Sequence, residues 1–512
     1  MTISDRTPVI VGVGQSVERI EAADYQGVSA AELAARAADA ALADSGVAEI
    51  ARGLVKIVGA VRTFEDSNAA PSPFGKPDKF PLAIARRLGI TPSRAVLEKV
   101  GGQSPVTILA EMGDRILAGE SEAALVFGAE AISSTRYLSG KGEVRDWAEA
   151  LDGEIDDHGF GMKGLLSPLA IAHGITAPPI AYALMENARR ARLGLDKASY
   201  ALAMGALFAP FSAVAAANPY SSAASQALSA DEIATPGERN RLVTDPYTIK
   251  LVSRDQVNQG AAVLLMSVGA ARAAGIPEDR WTFVHAATHA QEKEVLARPA
   301  LDAYPAANAA IAEALAISGK RIDEFAAFDF YSCFPIPVFN AAIEGLGLAA
   351  DDPRGLTVTG GLPYFGGAGN NYSMHAIASM VDRLRTEARG SFGLVGANGG
   401  FQSKYAVLVL SGTPAPWQPL VADPIQQALD TVADIAPVAE ANGIGTIETY
   451  TVWRAKGVPA SAIAIGHLAD GSRFVANAAD PETLAQAAET DPLGATVSVR
   501  FDGKRNLFNF AA

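Results

Sequence analysis

Cysteine is almost absent: the chain has one, Cys333, in 512 residues. A lone thiol cannot close an internal disulfide, which fits a reducing compartment, and a cytoplasmic location is expected. Histidine is scarce as well, with six residues, and no His, Cys or Asp cluster has metal-ligand spacing, so no metal is expected. Positive charge is in deficit. Forty-two Lys and Arg against 56 Asp and Glu leave a net charge of −14, which repels phosphate backbones and excludes nucleic acid as a partner class. No stretch of about 20 residues is uniformly apolar, so no membrane span is expected. The start, MTISDRTPVIVGVG, lacks a basic region followed by a long apolar run, and no signal peptide is expected. No glycine run has the G-x-x-x-x-G-K-[ST] form that cradles nucleotide phosphates.

What is present suits a large core. Hydrophobic residues make up 49% and charged residues 19% of the chain. At roughly 150 residues per domain, the length suggests about three structural units. An internal repeat organises them. EMGDRIL (111–117) meets SMVDRLR (379–385) at an offset of 268, and the same offset brings LVFGAE (125–130) onto GLVGAN (393–398). Upstream, ADAALADSG (38–46) resembles IAEALAISG (311–319), and each is followed by a strand-like run, LVKIVGAV or FAAFDFYSCF. A β-α-β-α-β unit used twice is expected, with sheets covered on both sides by helices.

The expected boundaries follow. The first half spans 1–130 and 246–272, and the second spans 273–412. Residues 131–245 form an insertion, with DHGFGMKGLLSP, the helical IAYALMENARRARLGL and the Ser- and Ala-rich SAVAAANPYSSAASQALS. After the Pro-rich segment 413–424 come five short strand candidates: TIETYTVWR, SAIAIGHL, SRFVANA, ATVSVRF and NLFNF. They suggest an OB-like barrel over 425–512, separable from the core.

A duplicated α/β core with this insertion resembles the thiolase superfamily over about residues 5–412, with the layered αβαβα fold that implies. The motifs can be compared one at a time. In VGGQSPVT, Ser104 stands where a thiolase has its nucleophilic Cys. ALVFGAEAIS is similar to the family's G-G-x-E-x-M-S run. YSCF keeps the Cys333-Phe334 pair of the sterol-carrier type, with Tyr331 at the His position. In TVTGGLPYFGGAGNNY, Gly367-Ala368 replace His-Pro. In ANGG, Ala397 replaces the second Cys and Gly399 is kept. The nearest likeness is to thiolase-like proteins with an added C-terminal barrel, often labelled acetyl-CoA acetyltransferase.

Each candidate has two readings. Ser104 is either an N-cap, with Pro105 at the first helical position, or a nucleophile at a helix N-terminus. Cys333 is a small buried hydrophobe or, by the resemblance, the acid/base or nucleophile. His375, in the first turn of a helix, is a structural donor or a neutral base. Tyr331, Gly367, Asn370, Asn371 and Gly399 are expected at the pocket or oxyanion position. By the resemblance, Lys163, Arg189, Arg190 and Arg192 would grip coenzyme A phosphates; the alternative is a solvated helix face.

The resemblance implies an acyl-transfer enzyme of lipid metabolism acting on acyl-CoA or 3-ketoacyl-CoA thioesters, though not an ordinary thiolase. Coenzyme A or acyl-CoA is then its ligand, with no covalently bound cofactor. The alternative is a non-catalytic acyl-CoA-binding protein or partner subunit, which the lost His and second-Cys positions favour. Thiolases pair through the strand before the nucleophile. Here Glu98-Lys99 would blunt that edge, and a monomer is expected.

Overall fold

The computed structural model describes residues 3–67, 72–223 and 226–511. The repeat is there. In the first half the strand Pro8–Val17, helix Ala30–Asp44, strand Val55–Ala60, helix Ser104–Leu117 and strand Ala123–Ala131 follow one another. In the second half the same roles fall to Phe283–Gln291, Pro305–Ser318, Phe325–Phe330, Tyr372–Thr386 and Phe392–Gly399. Each half closes on a further antiparallel strand, Asn258–Ser267 or Lys404–Ser411, set between the first strand and the third. The two central helices start 268 residues apart, as the sequence offset predicts.

The layering follows from burial. The strand AALVFGAEA is buried at all nine positions, because helices cover both faces of its sheet. The Ser104 and Tyr372 helices share one apolar cluster with residues of both sheets, such as Val126, Leu265, Val395 and Leu408. They form the middle layer, and the helices Ala30–Asp44 and Pro305–Ser318 cover the outer faces. Alanine dominates the Ala30 helix because it lies almost on the strand beneath: a Cβ on Gly12 would sit 2.1 Å from Ala41 O, and one on Gly14 2.2 Å from Ala37 O.

The first half carries more than the repeat. The strand Arg94–Leu97 has no counterpart in the second half, and it is not a free edge. Asp156–Asp157, from the insertion, pairs in parallel on its outer side. The expectation that Glu98-Lys99 blunt an open edge is therefore corrected. The edge is covered, and Glu98 is buried against His158 Nδ1 at 2.9 Å.

The two longest helices of the insertion are Pro178–Leu193 and Lys197–Ala217. By length and composition the second is apolar enough to cross a membrane. It contains Pro210, and its Tyr200, Met204, Leu207, Phe208 and Phe211 pack into the main core, which suits a core helix.

The C-terminal strands are Gly443–Ala455, Val458–Leu468, Arg473–Ala478, Thr496–Phe501 and Asn506–Phe510. The first pairs with the second and with Thr496–Phe501, and the ring closes through the Arg473–Ala478 and Asn506–Phe510 pairing. The helix Pro481–Glu489, capped by Asp480 on Thr483 N, lies between the third and fourth strands. This closed five-strand barrel is docked on the insertion through buried polar contacts. Arg190 makes a bidentate pair with Asp491, Asn187 donates to Tyr450 O, and Thr449 donates to Leu184 O. The Pro-rich segment before it is pinned as well: Trp417 is buried and donates to Asp114 at 2.7 Å, and Val421 exchanges backbone hydrogen bonds with the Phe283 strand. An easily separable barrel does not fit these contacts.

Candidate functional site

The two middle helices start side by side, and each start is tied to the other half. Gly101 has φ of +136°, which only glycine adopts without strain, and Ser104 N donates to its carbonyl at 3.0 Å. The chain thus curls back before entering the helix. Gln103, with φ of −75° and ψ of −18°, is the cap residue, and no side chain caps the helix. Ser104 is therefore not the N-cap that the sequence suggested. It is the first helical residue, fully buried, and its hydroxyl turns back to donate to Lys99 O. Gln103 Nε2 donates to Ser104 Oγ at 3.3 Å.

From the second half, Asn370 Oδ1 accepts from Gly101 N at 2.9 Å, and its amide donates to Arg62 O at 2.7 Å. Ser373 donates to Gly102 O, and Asn371 donates to Gly128 O, both at 2.7 Å. Asn370 and Asn371 are thus backbone partners that stitch the halves together. His375 turns away from this junction. Its Nδ1 lies 2.7 Å from Gln15 Oε1 while the Gln15 amide reaches Ser379, which fixes Nε2 as the bare acceptor. Burial lowers its pKa from 6.5 to about 3, so the ring stays neutral.

Cys333 follows the strand Phe325–Phe330. Its sulfur lies 3.7 Å from Asn398 Nδ2. The Tyr182 hydroxyl neighbours the thiol and accepts from Asn398 at 2.8 Å and from Gln402 N at 3.1 Å. Asn398 Oδ1 lies 2.8 Å from the Tyr304 hydroxyl. Burial pushes the thiol up to about 12, against smaller opposing effects of Tyr182 and Asn398, so Cys333 is a protonated thiol at neutral pH. Among the described residues, no histidine and no cation hydrogen-bonds the sulfur.

The space that the resemblance assigns to catalytic side chains is filled. Tyr331 is buried, and burial raises its phenol pKa. Its ring lies so close to Gly102 that a Cβ there would sit 2.4 Å from it and from Asn398 O. A Cβ on Gly367 would lie 2.2 Å from Ser253 Oγ, and Gly367 N donates to Arg254 O at 2.7 Å. A histidine there would collide with the chain leading into Asn258–Ser267. Gln103 Oε1 occupies the approach to Gly399 and, among the described residues, has no hydrogen-bond partner.

The four basic candidates lie apart from this junction in role. Arg189 bonds Glu344 at 2.7 Å and the Tyr200 hydroxyl at 3.1 Å, and lies over the Phe339 ring. Arg190 is 1% exposed and belongs to Asp491 of the barrel. Arg192 pairs with Asp302 and Glu344. All three hold the insertion in place. Lys163 is exposed, and among the described residues it makes no ion pair. The structure therefore brings Ser104, Tyr331, Cys333, Asn370 and Gly399 to one junction, with Gly367 and Asn371 on its flanks. Sequence reasoning missed Gln103, Tyr182, Ser253 and Asn398. The signals for two of them were adjacent: Gln103 precedes Ser104, and Asn398 sits inside ANGG.

Two doubled sheets around a shared helical layer, with a helix N-terminus at their junction, define the thiolase fold. A family model described as the additional C-terminal domain of thiolase-like protein type 1 matches residues 424–504. A crystal structure of a monomeric SCP2-thiolase-like protein type 1 from Mycobacterium smegmatis is 43% identical. It covers 99% of this chain and 100% of its own, with a TM-score of 0.84. The chain belongs to the SCP2-thiolase-like protein type 1 family. The fold is shared more remotely with the dimeric peroxisomal thiolase of Saccharomyces cerevisiae, at 14% identity and TM-score 0.55, over 80% of this chain and 98% of that one. The Ltp2-ChsH2(DUF35) aldolase is similar at 17% identity and TM-score 0.56, over 79% and 98%. No curated protein matches the sequence.

Proposed function

We propose that this chain binds an acyl-CoA thioester as a monomer in the cytoplasm and does not carry the acyl group on its own side chains. One observation carries this reading: neither residue that could hold an acyl group is activated. The Ser104 hydroxyl is given to Lys99 O and, among the described residues, hydrogen-bonds no base. The Cys333 thiol stays protonated, since burial lifts it to about 12 and no imidazole or cation opposes that. Carbon–carbon bond chemistry also needs a group to move the substrate's α-proton. Gly367 and Ala397 stand at the positions where the family has such groups, and Ser253 blocks the first. Binding is supported by the thiolase fold that the chain shares. Of the four basic candidates, Lys163 is the one left to meet phosphate, since the three arginines are engaged. The monomeric relative supports the monomer.

Calorimetry with coenzyme A and an acyl-CoA series, paired with turnover of 3-ketoacyl-CoA and acyl-CoA thioesters, tests the proposal. Saturable binding without turnover is expected. Absence of binding at millimolar ligand sinks it. A second reading, acyl transfer through Cys333, is favoured by Tyr182 and Asn398 beside the sulfur. Turnover that disappears in Cys333→Ala would establish that reading instead.

A further inference from the structure

Three groups far apart in sequence meet at the covered edge of the first sheet. Glu98 follows the strand Arg94–Leu97, Glu111 sits on the Ser104 helix, and His158 follows Asp156–Asp157. One ligand atom from each lies within 4.8 Å of the others. His158 Nδ1 is 2.9 Å from Glu98 Oε2 and the other ring nitrogen, Nε2, is 3.8 Å from Glu111 Oε2, so an ion would take one of the two nitrogens and the second carboxylate would have to swing toward it. Arg115 takes the other oxygen of Glu111 at 2.6 Å, so Oε2 is the one presented. The Glu98 side chain is 8% exposed, whereas those of His158 and Glu111, at 29% and 25%, are open to exchange with solution. Besides Arg115, two cations face the group. Lys404 is committed to Val100 O at 3.0 Å and Gly161 O at 2.7 Å, and Lys99 stands at the rim.

We propose that Glu98, Glu111 and His158 form a binding site for a divalent cation of the zinc class. Two carboxylate oxygens and one imidazole nitrogen are a ligand set that zinc accepts, with solvent in the fourth position. The imidazole disfavours magnesium and calcium, which take oxygen donors. Zinc–ligand bonds of about 2 Å place tetrahedral neighbours roughly 3.3 Å apart, so the three atoms must draw in by about 1 Å or more. The solvent-facing His158 and Glu111 can supply that movement. Without metal, the Glu98 hydrogen bond raises the His158 pKa. Zinc takes the proton's place: one nitrogen–proton bond is lost to solvent, one nitrogen–zinc bond forms, and nothing is oxidised. The bound metal would rivet the Asp156–Asp157 strap to the Ser104 helix. No local spacing marks this site, because the ligands come from three separate segments.

The test is titration of the full chain with Zn2+ against a chromophoric chelator, from pH 8 down to below 6.5. One equivalent is expected to bind, more weakly as His158 gains its proton, and without competition from Mg2+. His158→Ala and Glu111→Gln should each weaken binding by at least about 10-fold, as is usual when a member of a metal site is removed. Circular dichroism checks that both variants fold, and Glu111→Gln, on a helix surface, carries the test alone if His158→Ala does not. No saturable binding at millimolar Zn2+, or unchanged affinity in a folded variant, overturns the proposal.

Discussion

The two middle helices occupy equivalent places in the repeat, yet their starts differ in kind. The second-half helix sends side chains outward: Asn370, Asn371 and Ser373 satisfy backbone groups of the first half. The first-half helix sends little. Its Ser104 hydroxyl folds back onto Lys99 O, and glycine faces the partner half at 101 and 102. The scaffold is symmetric, while the polar groups are not. Where thiolase chemistry would need room on the glycine side, Tyr331, Gln103 and Ser253 have moved in. The duplication keeps the frame, and the contents of the junction decide what it can do.

The largest effect should come from removing the barrel, which docks on the insertion of the first half. A chain truncated after Ser411 strips the barrel from the insertion and uncovers the face that carries Leu184, Asn187 and Arg190, whose partners Thr449, Tyr450 and Asp491 leave with it. The truncated chain should be insoluble or melt early in a urea titration. A stable truncated core would show that the barrel is only an attachment.

A second asymmetry is the carboxyl of Glu186 in the insertion, lifted from 4.5 to about 7 by burial despite the Tyr200 and Tyr247 hydroxyls. The folded pKa is raised, so the folded state keeps a proton that the unfolded state has released. Stability should fall as pH rises from about 4.5 to 7, by up to about 3 kcal/mol, and then level off. Glu186→Gln should flatten that slope in denaturant melts at several pH values, while an unchanged slope would remove Glu186 from the account.

The crossed starts can be probed directly. Gly102→Ala forces a methyl into Tyr331 and Asn398 O and should cost about 1–3 kcal/mol. Ser104→Ala should cost about 1 kcal/mol, the net worth of its hydrogen bond. Ser104→Gly should cost more, by up to about 1 kcal/mol, because the residue lies within the helix. A capping serine would show the opposite order, with Gly better tolerated than Ala. Equilibrium unfolding of the two variants distinguishes them.

How much of this was legible in the sequence depends on the range of each contact. The repeat was, because a fixed offset through helix and strand survives in EMGDRIL and SMVDRLR. The barrel was too, because its five strands are local patterns broken by turns. The covered edge was not: Asp156–Asp157 forms a two-residue strand with no periodicity to betray it, and it reaches Arg94–Leu97 only in the fold. Ser104 was misread by one position, since Ser-Pro signals a cap whether or not Gln103 has already turned into the helix. The closure of the junction was beyond sequence reading. Ser253 against Gly367 and Tyr331 against Gly102 are contacts between distant segments, and nothing in either segment announces the other. The arginines of the insertion looked like a phosphate grip because their acidic partners, Glu344, Asp302 and Asp491, lie elsewhere in the chain.

The central claim is that the junction holds a thioester without taking its acyl group. Mass spectrometry of the full chain incubated with an acyl-CoA tests both halves of that statement at once. Under native conditions the account predicts a monomer carrying one intact acyl-CoA, and under denaturing conditions the unmodified mass. An acyl adduct that survives denaturation, and vanishes in Cys333→Ala or Ser104→Ala, would contradict it, as would the absence of any complex at millimolar ligand.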